Sequence, residues 1–166
     1  MKKKEPLIPA ATRWIPTPES RAICKKIISA YPPERFEKYT DYFVFVHFDP
    51  VQRFWHWVGM LIGTSSFVAL AFHWNRFPQN LIYYVLGVFF FYGFGVLSHT
   101  AYDDGTGKTQ PRRFLETFPT VIHFNVLTLL GRYPVFLEKF IEKYPFAIEA
   151  WDLIPLSEYR RRRNLK

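Results

Sequence analysis

Two stretches of this chain, Phe54 to Asn75 and Leu81 to Tyr102, contain no Asp, Glu, Lys or Arg, and they limit the fold more than any other feature. About 20 such residues in a helix cross the hydrocarbon core of a bilayer. Only Arg76 to Asn80 separates the two stretches, so helices built on them must run antiparallel, as a hairpin. The remaining composition agrees. With 166 residues, 49% hydrophobic and 20% aromatic, a soluble globule of this size would be left with aromatic surface it could not hide. The mean hydropathy of −0.08 averages the two apolar stretches with strongly charged ends. Disorder is excluded by the same apolar content.

Charge sets the orientation. The formal net charge is +8, and the basic residues gather at Lys2 to Lys4, at Lys25 and Lys26, and at Arg160 to Arg163 with Lys166, all outside the apolar stretches. Because they are not interleaved with a stacking platform, they fit anionic lipid headgroups rather than nucleic acid. Lys and Arg flank the hairpin's open end, whereas the connecting loop carries Arg76 alone, so both termini are expected in the cytoplasm, at the endoplasmic reticulum or a bacterial inner membrane. Pro6, Pro9, Pro16 and Pro18 interrupt the apolar core that a cleaved signal peptide would need. The one cysteine, Cys24, excludes an internal disulfide framework and a multi-thiolate zinc site.

The expected fold class is all-α: an integral membrane helical hairpin with flanking amphipathic or interfacial helices. Residues 1–18 read as an extended N-terminal arm without regular structure. Residues 19–146 form a single helical membrane domain, with spans at about 55–75 and 81–101 and a re-entrant or interfacial helix at about 118–131. Residues 147–166 read as a solvated basic tail. Within the domain, Glu19 to Tyr31 and Phe136 to Tyr144 are amphipathic, the first expected on the membrane surface. Glu34 to Phe48 mixes charge and aromatics like a segment entering the headgroup layer. Gly59 with Gly63 on the first span, and Gly87, Gly93 and Gly95 on the second, open faces for close packing, against each other or against a second copy in a homo-oligomer.

Ionisable residues at the edge of a span are costly unless paired, and so become site candidates. Asp49-Pro50 is a helix start, since Asp caps free amides and Pro fits the first helical position. The break it makes lets His47 and His56 both point inward. His99 and Asp103, four apart at the end of the second span, share a helix face. A hairpin returns that end to the level where the first helix begins, so His47, His56, His99 and Asp103 can converge, and His123 on the third apolar stretch is a further candidate. Histidines with one carboxylate and open positions suit non-haem iron(II) in an oxygen-activating site. Asp103 can serve there as a ligand or as the partner that orients His99. The Gly105-Thr-Gly107-Lys108-Thr109 run looks like the end of a phosphate loop, but Tyr102 stands where its first glycine belongs and no strand precedes it. No Ser or Cys has a His placed as its base.

The run His47-Phe-Asp-Pro50-Val-Gln52-Arg53-Phe-Trp-His56-Trp-Val-Gly59 resembles the pattern H-x-x-P-x-N-R-x-x-H-x-x-G of the 2-hydroxy fatty acid dioxygenase-like membrane family, known for the fungal endoplasmic-reticulum enzyme of fatty acid α-oxidation. Ser98-His99 with Asp103 and Pro111 is similar to its second motif in altered form. Gln52 stands for Asn, Ser98 for Gly and Asp103 for Glu. The resemblance, anchored over roughly residues 36–115, implies iron(II)-dependent oxygenation of a long-chain 2-hydroxy fatty acid to CO2 and an acid one carbon shorter. It implies His47, His56 and His99 around the iron, with Asp103 as fourth ligand or orienting base. Arg53, one turn before His56, would meet the substrate carboxylate or a lipid phosphate. Two other functions are consistent with the residues alone: a non-catalytic membrane adaptor or lipid-binding scaffold, and a haem-binding electron carrier.

Overall fold

The computed structural model describes residues 5–108 and 111–164; Lys2 to Lys4, Thr109 and Lys166 lie outside them. Helices form nearly all of its regular structure. In chain order these are α1 (Pro18–Ala30), α2 (Tyr39–Val46), α3 (Pro50–Phe72), α4 (Gln79–Val88), α5 (Phe94–Asp103), α6 (Phe114–Leu129), α7 (Tyr133–Lys143), α8 (Phe146–Ala150) and α9 (Leu156–Asn164). A two-stranded sheet joins the ends of the chain, with β1 (Leu7–Pro9) antiparallel to β2 (Leu153–Pro155) and Ile8 opposite Ile154.

Among the described residues, two helices are long and apolar enough to cross a membrane: α3, and the continuous run Gln79–Asp103 made of α4, a π-helical turn at Phe89–Gly93 and α5. Their most apolar windows are only 17% and 11% buried, so they turn their grease outward rather than into a protein core. Glycine sets how closely they approach. A Cβ on Gly59 would stand 2.7 Å from Phe90 O, and one on Gly63 2.7 Å from Phe91 N, so both glycines lie directly against the π turn. Such a turn widens the helix and displaces its backbone, and a partner without side chains accommodates it. Toward the open end of the hairpin, Trp55 Nε1 donates to the Tyr102 hydroxyl (3.1 Å), which donates to Trp14 O (2.8 Å).

The buried core lies outside the hairpin, in a cap made by α1, α2 and α6 to α8. α2 is apolar on nearly every side, and a helix of that kind is stable only when surrounded. Tyr42 to Phe48 are all buried, with Phe45 fully so, among Ile28, Phe36, Phe124, Phe140 and Trp151. This corrects the reading of Glu34 to Phe48 as a headgroup-layer segment: its aromatic residues fill the cap. α1 begins at a capping box of Thr17 and Ser20. It buries Cys24 and Ile28 and packs against α5, with Arg21 and Lys25 close to Asp104 (3.8 and 3.6 Å).

The two ends of the chain also differ from expectation. The N-terminal arm contains β1, and the segment expected as a solvated tail puts Ala147, Trp151, Leu153 and Ile154 into buried positions. Apolar content explains it, since four such residues cannot all be left in water beside an open aromatic core. Only α9, with Arg160 to Arg163 exposed, matches the description of a basic tail.

Candidate metal centre

The chain break between α2 and α3 builds the site. Asp49 caps α3 through Oδ1, which accepts from Val51 N (2.8 Å) and Gln52 N (3.3 Å), and Pro50 occupies the first turn. His47 ends α2 just before that cap. Its Nδ1 lies 2.7 Å from Phe43 O, and a carbonyl can only accept, so Nδ1 carries the proton and Nε2 keeps a lone pair. That Nε2 is buried and has no hydrogen-bond partner. Burial, with His56 and His99 beside it, holds the His47 pKa well below the usual imidazole range, so the ring stays neutral.

His56, two turns into α3, and His99, on α5, complete a group of three. One nitrogen from each ring lies within 4.8 Å of the others. The ring centroids are 4.8 Å (His47 to His56), 5.0 Å (His47 to His99) and 5.2 Å (His56 to His99) apart, all edge to face. Each ring is oriented by a different neighbour. His56 Nε2 lies 2.9 Å from Ser98 Oγ, whose own proton goes to Gly95 O (2.8 Å), so the hydroxyl accepts from the ring. His99 Nδ1 lies 2.7 Å from Asp103 Oδ2 and 2.8 Å from Gln52 Nε2; an ionised carboxylate only accepts, so the ring proton goes to Asp103. Partners of this kind, which set the tautomer and leave the other nitrogen as a donor to metal, are what metal-binding histidines use. Three imidazoles packed together, those of His47 and His99 buried, with an orphaned nitrogen among them could hold a metal ion.

Asp103 is 1% exposed and both its oxygens are engaged. Oδ2 accepts from His99 and from Gln52 Nε2 (3.1 Å), and Oδ1 accepts from Gly107 N (3.1 Å). It therefore orients His99 rather than joining the three-ring group. A Cβ on Gly107 would come within 2.8 Å of Asp103 Oδ2 and 2.9 Å of His99 Nδ1, so only glycine can cover this pair so closely.

One predicted site residue is placed elsewhere. His123 is exposed, with its ring 5.6 Å from Phe136, and is not part of the group. Val121 faces the site from α6, and two residues further on a helix has turned about 200°. Arg53 lines a cavity beside His47 and His56, with one of its nitrogens engaged. Its Nη1 donates to His47 O and Phe48 O (2.7 Å each), and its guanidinium lies 3.9 Å from the Tyr133 ring centre. It fastens the α2–α3 break and so helps position His47. Ser98, Gln52 and Gly107 are site residues that the sequence reading did not assign, although Gln52 and Ser98 occupy motif positions.

Two cavities flank the rings, both bounded by Phe43, His56 and Val121. One, of about 360 Å³, continues past His47, Phe124 and Asn125 along α6. The other, of about 390 Å³, runs past His99, Met60 and Phe91 between the hairpin and α6. Asn125 Nδ2 reaches Met60 Sδ (2.8 Å) between them. Tyr92 and Val96, which also line the second, are 46% and 49% exposed, so that cavity is open along this part of the hairpin.

Comparison with family models, with curated proteins and with solved structures gives no match.

Proposed function

We propose that this chain is an integral membrane oxygenase that uses iron(II) to act on long-chain 2-hydroxy fatty acids, releasing CO2 and the acid one carbon shorter. The observation that carries the metal reading is the buried, partnerless Nε2 of His47 facing two further imidazoles. A buried polar atom without a partner costs about 1–3 kcal/mol, and a cation there would remove that cost. The choice of iron and of substrate rests on the resemblance of the His47 to Gly59 run to the dioxygenase-like family. The contact between all three rings favours a shared ion over a haem, whose axial ligands must stand apart on opposite faces of a macrocycle.

His47, His56 and His99 would hold the iron, which supplies the activation of dioxygen and a Lewis acid for the substrate's adjacent carboxylate and hydroxyl oxygens. The chain's own part is positional. Phe43 O, Ser98 Oγ and Asp103 keep the rings aimed inward, and Arg53 pins the backbone that carries His47. Phe43, Val121 and Phe124 keep water from the centre, and the apolar cavities take the acyl chain. In this reading α3 and the run from α4 to α5 span the bilayer, the site and both termini are cytoplasmic, and the exposed arginines of α9 meet anionic lipid.

The test is product analysis. Iron-loaded protein incubated with 2-hydroxyhexadecanoate and oxygen should yield pentadecanoate, and His56→Ala and His99→Ala should abolish it. Loaded protein that leaves the hydroxy acid intact would refute the activity. If, in addition, no metal is bound, the chain is the lipid-binding scaffold instead.

A further inference from the structure

The Gly105-Thr-Gly107-Lys108 run is not a phosphate loop, yet it is closely fitted to the site. It forms the turn after α5. Asp104 (φ 54°) and Gly105 (φ 77°) take left-handed conformations, Gly105 N donates to His99 O (2.9 Å), and Thr106 N donates to Asp103 O (3.1 Å). Gly107 then lies on the His99–Asp103 pair, and the Lys108 side chain folds back over Gly105. Lys108 Nζ is 2.9 Å from where a Cβ on Gly105 would stand, so the glycine makes that course available. Lys108 thereby enters the wall of the second cavity, together with His56, His99, Met60 and Phe91.

Lys108 is the only Lys or Arg among the described residues lining that cavity, and no carboxylate among the described residues pairs with it. Nearby acids are taken: Asp103 by His99 and Gln52, Asp104 by Arg21 and Lys25. Arg53, the other cation close to the rings, gives Nη1 to His47 O and Phe48 O and lines the first cavity rather than the second. An unpaired ammonium beside an open apolar cavity matches one kind of occupant, a long chain with an anionic head.

We propose that Lys108 binds the anionic head, carboxylate or phosphate, of an amphiphile whose chain lies in the second cavity. This rests on the lipid reading of the site and adds the group that selects for charge. The test uses the full chain in nanodiscs of zwitterionic lipid, with chelator present so that metal plays no part. Hexadecanoate, hexadecyl phosphate and hexadecanol are compared by displacement of a fluorescent long-chain alcohol. Lys108→Met should weaken an anion by a few-fold to about tenfold while hexadecanol binds as before, since a charge-assisted hydrogen bond is stronger than a neutral one and tenfold corresponds to about 1.4 kcal/mol. Lys108→Arg should keep the anion. Loss confined to hexadecanoate identifies a free acid as the occupant, and loss confined to hexadecyl phosphate a phospholipid-like head. The proposal is overturned if Lys108→Met leaves both anions bound as tightly as before, or weakens hexadecanol equally. Because no metal or turnover is involved, failure of the oxygenase reading would leave this result standing.

Discussion

In the proposed centre Asp103 acts through His99, and that indirect role is measurable. Removing such a partner typically costs about 10–100-fold in metal affinity. Asp103→Ala should therefore weaken cobalt(II) binding, followed by competition with a chelator, by about that factor; unchanged affinity would show that His99 needs no orienting. Cys24 gives a separate test of the cap. Its thiol is pushed up to about 12 from 9.0, chiefly by burial. The raised value means that folding favours the protonated thiol, so its contribution to stability is full below pH 9 and is lost as pH rises toward 12. Alkylation by iodoacetamide at pH 9 should accordingly be slow in folded protein and fast after denaturation; equal rates would contradict a buried Cys24. Much of the residue-scale site was legible in the sequence. The Asp49-Pro50 break and the i, i+4 spacing of His99 and Asp103 are local features, and the hairpin brings them together. His123 falls outside the group, and Arg53 lines the first cavity while fastening the α2–α3 break; both placements depend on what α2, α7 and the rest of α6 present to them, and no spacing rule encodes that.

At the scale of elements, the hairpin is held by glycine meeting a π turn. Gly63→Ala would put a methyl group 2.7 Å from Phe91 N, a backbone atom that cannot swing aside. Overpacking of this kind should cost about 1–3 kcal/mol, read as a lower midpoint of thermal unfolding in one fixed detergent. An unchanged midpoint would mean that the helices do not meet there. The charge-free runs marked both long helices in the sequence, and Gly59 and Gly63 marked a close face. The π turn left no trace, because nothing in the aromatic run Phe89 to Phe91 separates a π-helical turn from a continuing α-helix. α2 was obscured for a related reason: aromatic residues mixed with charge suit an interface or a buried core equally well, and only the neighbours α1, α6 and α7 decide which.

For the molecule as a whole, the structure divides into an outward-facing apolar hairpin and a compact aromatic cap, with the histidines at the join. The cap is closed by the chain's last third. Trp151 is 2% exposed against Phe45 and Phe48, so Trp151→Ala should cost about 3–5 kcal/mol, measured by denaturant unfolding of the cap's fluorescence. A loss below about 1 kcal/mol would place that residue outside the core. The burial of residues 147–155 was hidden in the sequence by the arginine run that follows, which gives the whole segment the composition of a tail. The account depends most on three imidazoles from α2, α3 and α5 sharing one cation. X-ray absorption at the iron edge of the loaded protein measures this directly. It should show imidazole nitrogens from three histidines around the metal, and one fewer in His47→Ala; iron without histidine scattering, or with the same shell in that variant, would contradict the claim.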